Sequence, residues 1–198
     1  MTTTTGVEIT EHFARWFHEA TEAEPRVPEA MQLITVTAEG LPSARTVLLK
    51  GFSPEGFVFY TNTRSRKGRD LLVSGAPRVV GLFHWKTLER QVILEGTAHR
   101  VDDTVADAYF ATRSRGSQIG AWASEQSEPL TSREHLVSKV EEIEQRFSGT
   151  DVPRPPHWTG FQIRHDRIEF WQGMPDRLHH RTCFTRSAHG WSSTLLQP

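Results

Sequence analysis

The residues best suited to chemistry lie close together between Arg45 and Arg69, in the segment RTVLLKGFSPEGFVFYTNTRSRKGR. Arg45 and Lys50 flank a short apolar stretch that favours burial, and four more cations fall within residues 63–69 among Ser and Thr. Forked guanidinium bonds, a lysine point charge, hydroxyls and backbone N–H groups together suit a doubly charged phosphate monoester. A solvated basic turn is the alternative, and it is the better interpretation for Arg64 and Arg69 alone. Because buried cations need partners, the segment predicts an anion site.

A second polar set follows in Tyr109, Arg113 and Ser117, which are spaced at i, i+4 and i+8. On a helix that runs into a turn, these side chains share a face and are suited to hold another phosphate. A helix end with a solvated arginine is an equally weighted alternative.

Polar side chains in two other segments are candidates for contacts with a ring. Gln91 lies among apolar residues in ERQVILEG, where a buried amide needs partners, and one use is to read the edge of a heterocycle. Gln126 and Ser127 lie in an irregular stretch, where an ordinary surface position is the default interpretation.

The last of these groups lies near the C-terminus, where Trp171 precedes Arg177, His179 and Arg181. On a strand, alternation places the last three on one face. Three potential cations on one face repel one another unless an anion, an electron-rich ring or an acidic partner lies between them. The pattern therefore favours a ligand, with an acidic partner left open.

Composition limits the classes of partner. The 23 Lys and Arg residues are balanced by 24 Asp and Glu, so the net charge of −1 is unlike that of a protein that coats nucleic acid. No apolar run approaches the ~18 residues of a membrane span, and the N-terminus lacks signal-peptide features. We therefore predict a soluble cytoplasmic protein that binds a small anion, with no nucleic-acid or membrane partner.

Several common sites are not expected. The sequence has no G-x-G-x-x-G after a strand, no phosphate-binding G-x-x-x-x-G-K-[ST] loop and no G-x-S-x-G elbow. One cysteine and one adjacent histidine pair, His179 and His180, do not make a metal site, because neighbouring strand residues face opposite ways. No metal is predicted.

The elements that must position these residues are mostly strands. Residues 1–7 are expected to be disordered and to precede a single domain over 8–198. Helices are predicted at 8–23, at about 64–74, from Asp103 to about Arg113, and at 132–147, with an irregular loop at 114–130. Strands are predicted at 31–38, 43–52, 57–62, 78–85, 89–101, 161–165, 167–173, 179–186 and 190–196. Short strands joined by tight turns indicate an antiparallel sheet, and six or more usually close into a barrel.

Taken together, the motifs resemble those of the pyridoxine/pyridoxamine 5′-phosphate oxidase family, the FMN enzymes of vitamin B6 metabolism. The resemblance covers about residues 25–198. It rests on separated motifs in regular order: RTVLLKGF, FVFYTNTRSRKGR, LERQVILEG, YFATRSRGSQIGAWASEQS, PRPPHWTGF, RIEFWQG and DRLHHR. It implies a mostly antiparallel FMN-binding split β-barrel, and a homodimer with FMN at the subunit interface.

The resemblance also implies roles for matching positions. The residues that match FMN contacts are Arg45, Val47, Leu48, Leu49, Lys50, Tyr60, Thr61, Arg66, Lys67, Gln91, Gln126, Ser127, Trp171 and Arg181. The residues that match the clamp on the substrate phosphate are Lys50, Tyr109, Arg113 and Ser117. Arg177 and His179 match the groups that face the substrate ring; Arg177 is expected to matter most for the chemical step and His179 to orient the ring.

The implied reaction oxidises pyridoxine 5′-phosphate or pyridoxamine 5′-phosphate to pyridoxal 5′-phosphate. Hydride passes from the substrate to FMN, and molecular oxygen is the final acceptor and leaves as hydrogen peroxide. Holding two rings in register removes much of the barrier through proximity.

Two other functions are weighed against this one. The family commonly has a longer N-terminal arm, and an acidic residue where His180 stands, so an FMN oxidase of a phenazine-type pathway is the main alternative. That relative lacks the lysine found here as Lys50, so the phosphate clamp favours the B6 substrate. A protein that only stores or senses flavin or pyridoxal phosphate is the third possibility.

Overall fold

A nine-stranded antiparallel sheet with flanking helices forms the part of the chain that the computed structural model describes, residues 5–73 and 77–198. The helices are α1 Gly6–Ala23, α2 Arg66–Leu72, α3 Asp103–Ala111, α4 Arg115–Ala123 and α5 Arg133–Arg146, and a single 3₁₀ turn spans Pro175–Arg177. The strands are β1 Ala30–Val36, β2 Pro42–Leu48, β3 Gly51–Ser53, β4 Gly56–Asn62, β5 Arg78–Trp85, β6 Arg90–Arg100, β7 Trp158–Gln172, β8 His180–Ser187 and β9 Gly190–Leu195. The prediction of a mostly antiparallel fold is confirmed.

The sheet rolls up on itself. Its hydrogen-bonded order is β2-β1-β5-β6-β7-β4-β3, yet β2 at one end contacts β4 next to the other end. Between β2 and β3, the backbone N–H of Lys50 already donates to the carbonyl of Val58 of β4 at 2.8 Å. The predicted strand at 43–52 is therefore two strands: its first part pairs with β1, and its last part changes partner to β4.

The longest strand, β7, organises the rest of the sheet. It pairs with β6 along one edge, while its other edge pairs first with β4 and then with β8. The sequence predicts two strands here, at 161–165 and 167–173, whereas the structure has one strand with a bulge opposite Glu95 and Gly96. The bulge shifts the alternation by one residue, so the buried positions change from 163 and 165 to 168 and 170.

An aromatic core fills the inside of the rolled sheet. Phe13 of α1 is fully buried, with its ring centroid 4.8 Å from that of Phe57 and 5.3 Å from that of Phe83. The helix begins at Gly6, two residues before the predicted start, because Thr5 and Glu8 form a capping box. Residues 1–4, which belong to the segment predicted to be disordered, lie outside the described residues.

A second, smaller core lies under α3, α4 and α5, where Phe110, Ile119, Phe147 and Trp158 pack together. The sequence prediction of α3 and α5 is confirmed, but α4 falls inside the stretch predicted as an irregular loop. This helical layer covers the start of β7 and carries the residues from Tyr109 to Gln126 toward β4.

The helix α2 ends at Leu72, within the predicted range, and the predicted stop at Gly75 lies outside the described residues. In the part of the chain that is described, no helix is both long enough and apolar enough to cross a lipid bilayer.

Candidate active site

Two adjoining cavities lie between the strands β2 and β4 and the helical layer. The first, of about 400 Å³, contains Thr61, Lys67 and Gln126, and the second, of about 330 Å³, contains Lys50 and Tyr109. Both are lined by four shared residues, Tyr60, Arg113, Ser117 and Trp158. We call the two together the basic pocket. Its lining holds Lys50, Lys67 and Arg113 but, within the described residues, no carboxylate.

Arg113 is the most unusual side chain of the basic pocket. Its Nη1 is buried and has no hydrogen-bond partner among the described residues. Its guanidinium carbon lies 4.8 Å from the centre of the Trp158 ring, and burial lowers its pKa while Tyr109 acts in the opposite direction. A buried guanidinium nitrogen without a partner is costly. The free nitrogen of Arg113 is therefore suited to bind an anion.

A stack of three aromatic rings, which includes Trp158, packs against Arg113. The Tyr60 and Tyr109 rings lie 4.0 Å apart at 13°, and the Tyr60 and Trp158 rings 5.1 Å apart at 7°. The stack joins β4, α3 and the start of β7, so it fixes the three elements relative to one another. Tyr109, Arg113 and Ser117 thus come together as their spacing predicts, although Arg113 lies in the turn between two helices rather than on one.

Ser117 belongs to the first turn of α4, which begins after Ser114. The Ser114 hydroxyl donates to the Ser117 Oγ at 2.8 Å, and both residues line the second cavity with Lys50. Lys50 also lies 3.7 Å from Glu29, so part of its charge is already compensated. Hydroxyls beside two cations at this position suit a phosphate group.

Lys67 marks the other end of the basic pocket. Its Nζ donates to the Gln126 Oε1 at 2.9 Å, which ties α2 to the segment after α4. Burial, together with the charge of Arg45, lowers the pKa of Lys67 to about 8. A cation that is destabilised in this way gains when an anion binds beside it.

The remaining basic residues predicted near Lys67 differ in their surroundings. Arg45 donates to Thr35 and Ser43 and lies 3.8 Å from the buried Asp70. The sequence predicts that a buried cation here needs partners, and for Arg45 these are the Asp70 carboxylate and the two hydroxyls of the protein itself. Arg66 is exposed at the start of α2.

Ser127 and the strand residues 47–49 complete this predicted group. Ser127 is exposed and has a positive φ of 77°, next to Gln126 in a turn. Val47 lines the first cavity and Leu48 the second, while the Leu49 side chain belongs to the core.

A second group of predicted residues forms a row across three strands. Gln91 of β6 lies directly opposite Trp171 of β7, and Trp171 lies opposite Arg181 of β8. The Nε of Arg181 donates to Glu169 at 2.7 Å, so the acidic partner that the sequence left open exists. Gln91, Trp171 and Arg181 do not line the basic pocket that the described residues form.

The prediction that Arg177, His179 and Arg181 share one strand face is wrong. Strand β8 begins at His180, so Arg177 and His179 precede it, and Arg177 lies in the 3₁₀ turn with a φ of 63°. Asp176 also has a positive φ, of 56°, and a turn of this kind breaks the two-residue alternation. His179 nevertheless lies close to the row, with its ring centroid 4.6 Å from that of Trp171.

The basic pocket and the row lie at opposite ends of β7. Tyr60 pairs with Gly160 near the start of the strand, and Trp171 lies near its end. At about 3.3 Å per residue, these two positions on a straight strand are roughly 35 Å apart. One small molecule does not span that distance within one chain.

Trp158 and Ser114 are among the residues of the basic pocket that sequence reasoning missed. Trp158 follows the proline-rich part of PRPPHWTGF, which has no helical or strand periodicity. A buried aromatic residue at the start of a strand is nevertheless suited to stack against a ligand ring. Ser114 was not predicted as a site residue because the segment that forms α4 was expected to be a loop. Its position before a helical turn that ends in Ile119 and Trp122 was the available signal.

Comparison with known families matches nearly the whole chain. A family model described as pyridoxamine 5′-phosphate oxidase matches residues 17–147, and one described as the pyridoxine 5′-phosphate oxidase C-terminal dimerisation region matches residues 158–198. A protein of Rubrobacter xylanophilus is 56% identical over 94% of this chain and 85% of its own length. A protein of Sphingopyxis alaskensis is 55% identical over the same shares. Both are named pyridoxine/pyridoxamine 5′-phosphate oxidase.

Two solved structures are similar over nearly their full length. PhzG from Burkholderia lata 383, in complex with tetrahydrophenazine-1-carboxylic acid, is 32% identical with a TM-score of 0.90, over 97% of this chain and 93% of that one. A pyridoxamine 5′-phosphate oxidase-related, FMN binding protein from Nostoc punctiforme PCC 73102 has a TM-score of 0.75 over 95% and 96%. At 16% identity, the second likeness shows the fold alone.

Proposed function

The chain belongs to the pyridoxamine 5′-phosphate oxidase family, and we propose that it is an FMN-dependent oxidase that produces pyridoxal 5′-phosphate. Its substrates are pyridoxine 5′-phosphate or pyridoxamine 5′-phosphate. Relatives that are 55–56% identical over 94% of the chain carry the name of this activity. Oxygen as the final acceptor, hydrogen peroxide as product and a cytoplasmic location are further parts of the proposal.

The single observation that carries the proposal is the unpaired, buried Nη1 of Arg113. It lies in a pocket that also offers Lys50, Tyr109 and Ser117, and the described lining contains no carboxylate. Two cations and hydroxyl groups fit the dianionic phosphate that both B6 substrates share. We assign these four residues to the substrate phosphate.

The other end of the basic pocket fits the phosphate of FMN. Lys67, whose pKa is lowered, lies there with Gln126, while Arg66 and Ser127 are on the adjacent surface. Arg45 is close enough to lower the pKa of Lys67, although Asp70 is its own ionic partner, and Val47 lines the cavity beside Lys67. When bound, FMN supplies the two-electron acceptor for the oxidation.

The row of Gln91, Trp171 and Arg181 completes the flavin site only if a second chain brings it to the basic pocket. One chain places the two groups at opposite ends of β7, as described above. The match of residues 158–198 to a dimerisation region supports a homodimer. We therefore propose that each site combines the basic pocket of one chain with the row of its partner.

Arg177 and His179 are the groups that we assign to the substrate ring. Both lie in the segment that follows Trp171, and the Nδ1 of His179 accepts a bond from the backbone N–H of Met174 at 3.2 Å, which fixes the ring. An arginine beside the pyridine ring stabilises negative charge that develops there, and a fixed histidine orients the ring.

Oxidation of a reduced phenazine precursor is the second candidate function. It is favoured by the 32% identity and the TM-score of 0.90 to PhzG in complex with tetrahydrophenazine-1-carboxylic acid. The phosphate-sized set of Lys50, Arg113 and Ser117 is what the B6 substrate needs and a phenazine carboxylic acid does not.

Comparison of phosphorylated and unphosphorylated substrates tests the proposal. The FMN-loaded protein should oxidise pyridoxine 5′-phosphate with a kcat/KM at least about 100-fold above that for pyridoxine, since two charge-assisted bonds are lost without the phosphate. Equal kcat/KM values, or turnover of a tetrahydrophenazine carboxylic acid alone, would refute it.

A further inference from the structure

The buried carboxylate of Glu169 has no role in the site described so far. Glu169 is 2% exposed, and it lies on β7 two residues before Trp171, on the same face of the strand. Both of its oxygens are bonded: Oε1 accepts from Arg181 and Oε2 from Arg167, each at 2.7 Å. Burial raises the pKa of Glu169, but the bonds from the two arginines outweigh it and hold the pKa below its usual value.

The two arginines around Glu169 differ in what else they bind. Arg167 donates its other terminal nitrogen to Glu95 of β6, so it has a carboxylate on each side. Arg181 instead donates Nη1 to the carbonyl of Gln197 at 2.9 Å, and the N–H of Leu196 donates to the Arg181 carbonyl. Arg167 is thus paired with two carboxylates, whereas Arg181 is anchored at Nε by Glu169 and at Nη1 by Gln197.

Those two bonds fix the plane of the Arg181 guanidinium. The group is flat and rigid, so anchoring Nε and Nη1 determines where the third nitrogen points. Within the described residues, no hydrogen bond is formed by Nη2. The network therefore holds the N–H donors of Nη2 in a set direction, beside Trp171 and Gln91 in the same row.

We infer that Glu169 is a positioning residue for FMN binding, which acts through Arg181 and does not touch the cofactor itself. The inference rests on the proposed function, in which Arg181 binds FMN. An arginine that is free in solution loses rotamer freedom when it binds a ligand, and one that is already fixed does not. Glu169 therefore increases the affinity for FMN, because the rotamer freedom of Arg181 is already lost when the protein folds.

A purely structural role for Glu169 is the alternative, because the network also joins β6, β7 and β8. The two roles differ in one respect. If Glu169 acts through Arg181, its removal matters only while Arg181 is present, whereas a structural defect weakens FMN binding in either background. A double-mutant cycle separates them.

The experiment measures the Kd of FMN from flavin fluorescence for Glu169→Gln, Arg181→Gln, the double variant and the control Glu95→Gln. Glu95→Gln makes the same change in the same network but leaves the bond between Glu169 and Arg181 intact. We expect Glu169→Gln and Arg181→Gln each to raise the Kd by about tenfold, and the double variant to equal Arg181→Gln. Glu95→Gln should stay within about twofold of wild type, and all variants should remain dimers by size-exclusion chromatography.

Two results would overturn the inference. One is that Glu169→Gln binds FMN as the control does, and the other is that its effect adds in full to that of Arg181→Gln. If Glu169→Gln does not fold, Glu169→Asp takes its place, because it keeps the charge and shortens the reach by one methylene. Wild-type Kd for Arg181→Gln would also refute the inference. The proposed function fails on a different result, namely that FMN-loaded wild-type protein leaves B6 phosphates unoxidised.

Discussion

At the scale of single residues, the proposed binding of the substrate phosphate depends mainly on Arg113. Arg113→Ala should raise the KM for pyridoxine 5′-phosphate by roughly 10- to 150-fold, because a charge-assisted bond of about 1.5–3 kcal/mol is lost. Steady-state kinetics measures this. Arg115→Ala is the matched control, because Arg115 lies two residues away and donates to the carbonyls of Phe147 and Thr150 instead. Equal KM values for the two variants would contradict the assignment.

The lowered pKa of Lys67 predicts that FMN binding depends on pH. Its pKa is lowered to about 8 in the free protein, so above pH 8 the amine must take up a proton before it pairs with a phosphate. The Kd of FMN should therefore be nearly constant between pH 7 and 7.5 and rise by up to about tenfold per unit above pH 8. Lys67→Arg stays charged over this range, and its Kd should not rise. A rise of the same size in Lys67→Arg would show that another group titrates.

Individual site residues were predictable from the sequence where spacing alone brings them together. Tyr109, Arg113 and Ser117 share a cavity wall, as the spacing of four indicates. Arg177, His179 and Arg181 do not share a strand face, because two residues with positive φ precede β8 and alternation statements hold only within a strand. The partner of Arg181 was out of reach, because Glu169 lies on another strand.

At the scale of elements, the position of α2 depends on Gly68. A Cβ at Gly68 would lie 2.6 Å from the Cα of Thr63 and would also collide with the Asn62 carbonyl, so α2 packs against the end of β4 without room for a side chain. Gly68→Ala should lower the free energy of unfolding by about 1–3 kcal/mol and weaken FMN binding, because α2 carries Lys67.

The control for this prediction is Gly116→Ala. Gly116 lies in α4 with open space around the position of a Cβ, so alanine should be neutral or stabilise by up to about 1 kcal/mol. Thermal unfolding and an FMN titration of both variants measure the contrast. A Gly68→Ala variant as stable as Gly116→Ala would show that α2 does not need this close approach.

The strand β7 carries a buried histidine that makes stability depend on pH. His165 is 3% exposed, its ring nitrogens have no partner among the described residues, and burial lowers its pKa from 6.5 to about 4. Between these two values the unfolded chain binds a proton that the folded chain does not. The stability present above pH 6.5 is therefore lost as the pH falls toward 4, by up to about 1.4 kcal/mol per unit.

Replacement of His165 tests this pH dependence. His165→Phe should flatten the dependence of the free energy of unfolding on pH between 6.5 and 4, as measured by urea denaturation. His135→Phe, at an exposed position of α5, should keep the wild-type slope. An unchanged slope in His165→Phe would assign the acid sensitivity to other groups.

The elements themselves were largely predictable, because alternating strands and Pro-Gly turns are local signals. The exceptions have physical causes. The helix α4 contains Gly116, Ser117 and Gly120, which lower helix propensity, and its stability comes from packing of Ile119 into the second core. The single strand β7 was divided in prediction because a bulge changes its alternation, and a bulge depends on the partner strand.

At the scale of the whole molecule, we propose that two chains contribute to each site. A hybrid dimer of a Lys67→Ala chain and an Arg181→Gln chain should hold one site with both changes and one with neither. Co-expression with two affinity tags isolates the hybrid, and it should bind one FMN per dimer with wild-type affinity. If both sites of the hybrid bind as weakly as those of the single variants, each site lies within one chain.

The residue pattern alone does not reveal this arrangement, because the sequence of one copy does not say which surfaces meet, and only the family resemblance indicated a site at a subunit interface. Gln91 and Trp171 are ordinary strand residues until a second basic pocket is placed against them. The rolled sheet was predictable from its strands, whereas the proposed composite site also rests on the length of β7 and on the match of residues 158–198 to a dimerisation region.

Anaerobic mixing of the FMN-loaded wild-type protein with substrate tests most directly whether the protein oxidises B6 phosphates. The visible spectrum is recorded after addition of pyridoxine 5′-phosphate, and pyridoxal 5′-phosphate is measured in the same samples. We expect the yellow flavin band to disappear and the aldehyde to form in step, in equal amount to the FMN. A flavin band that persists with both pyridoxine 5′-phosphate and pyridoxamine 5′-phosphate would contradict it.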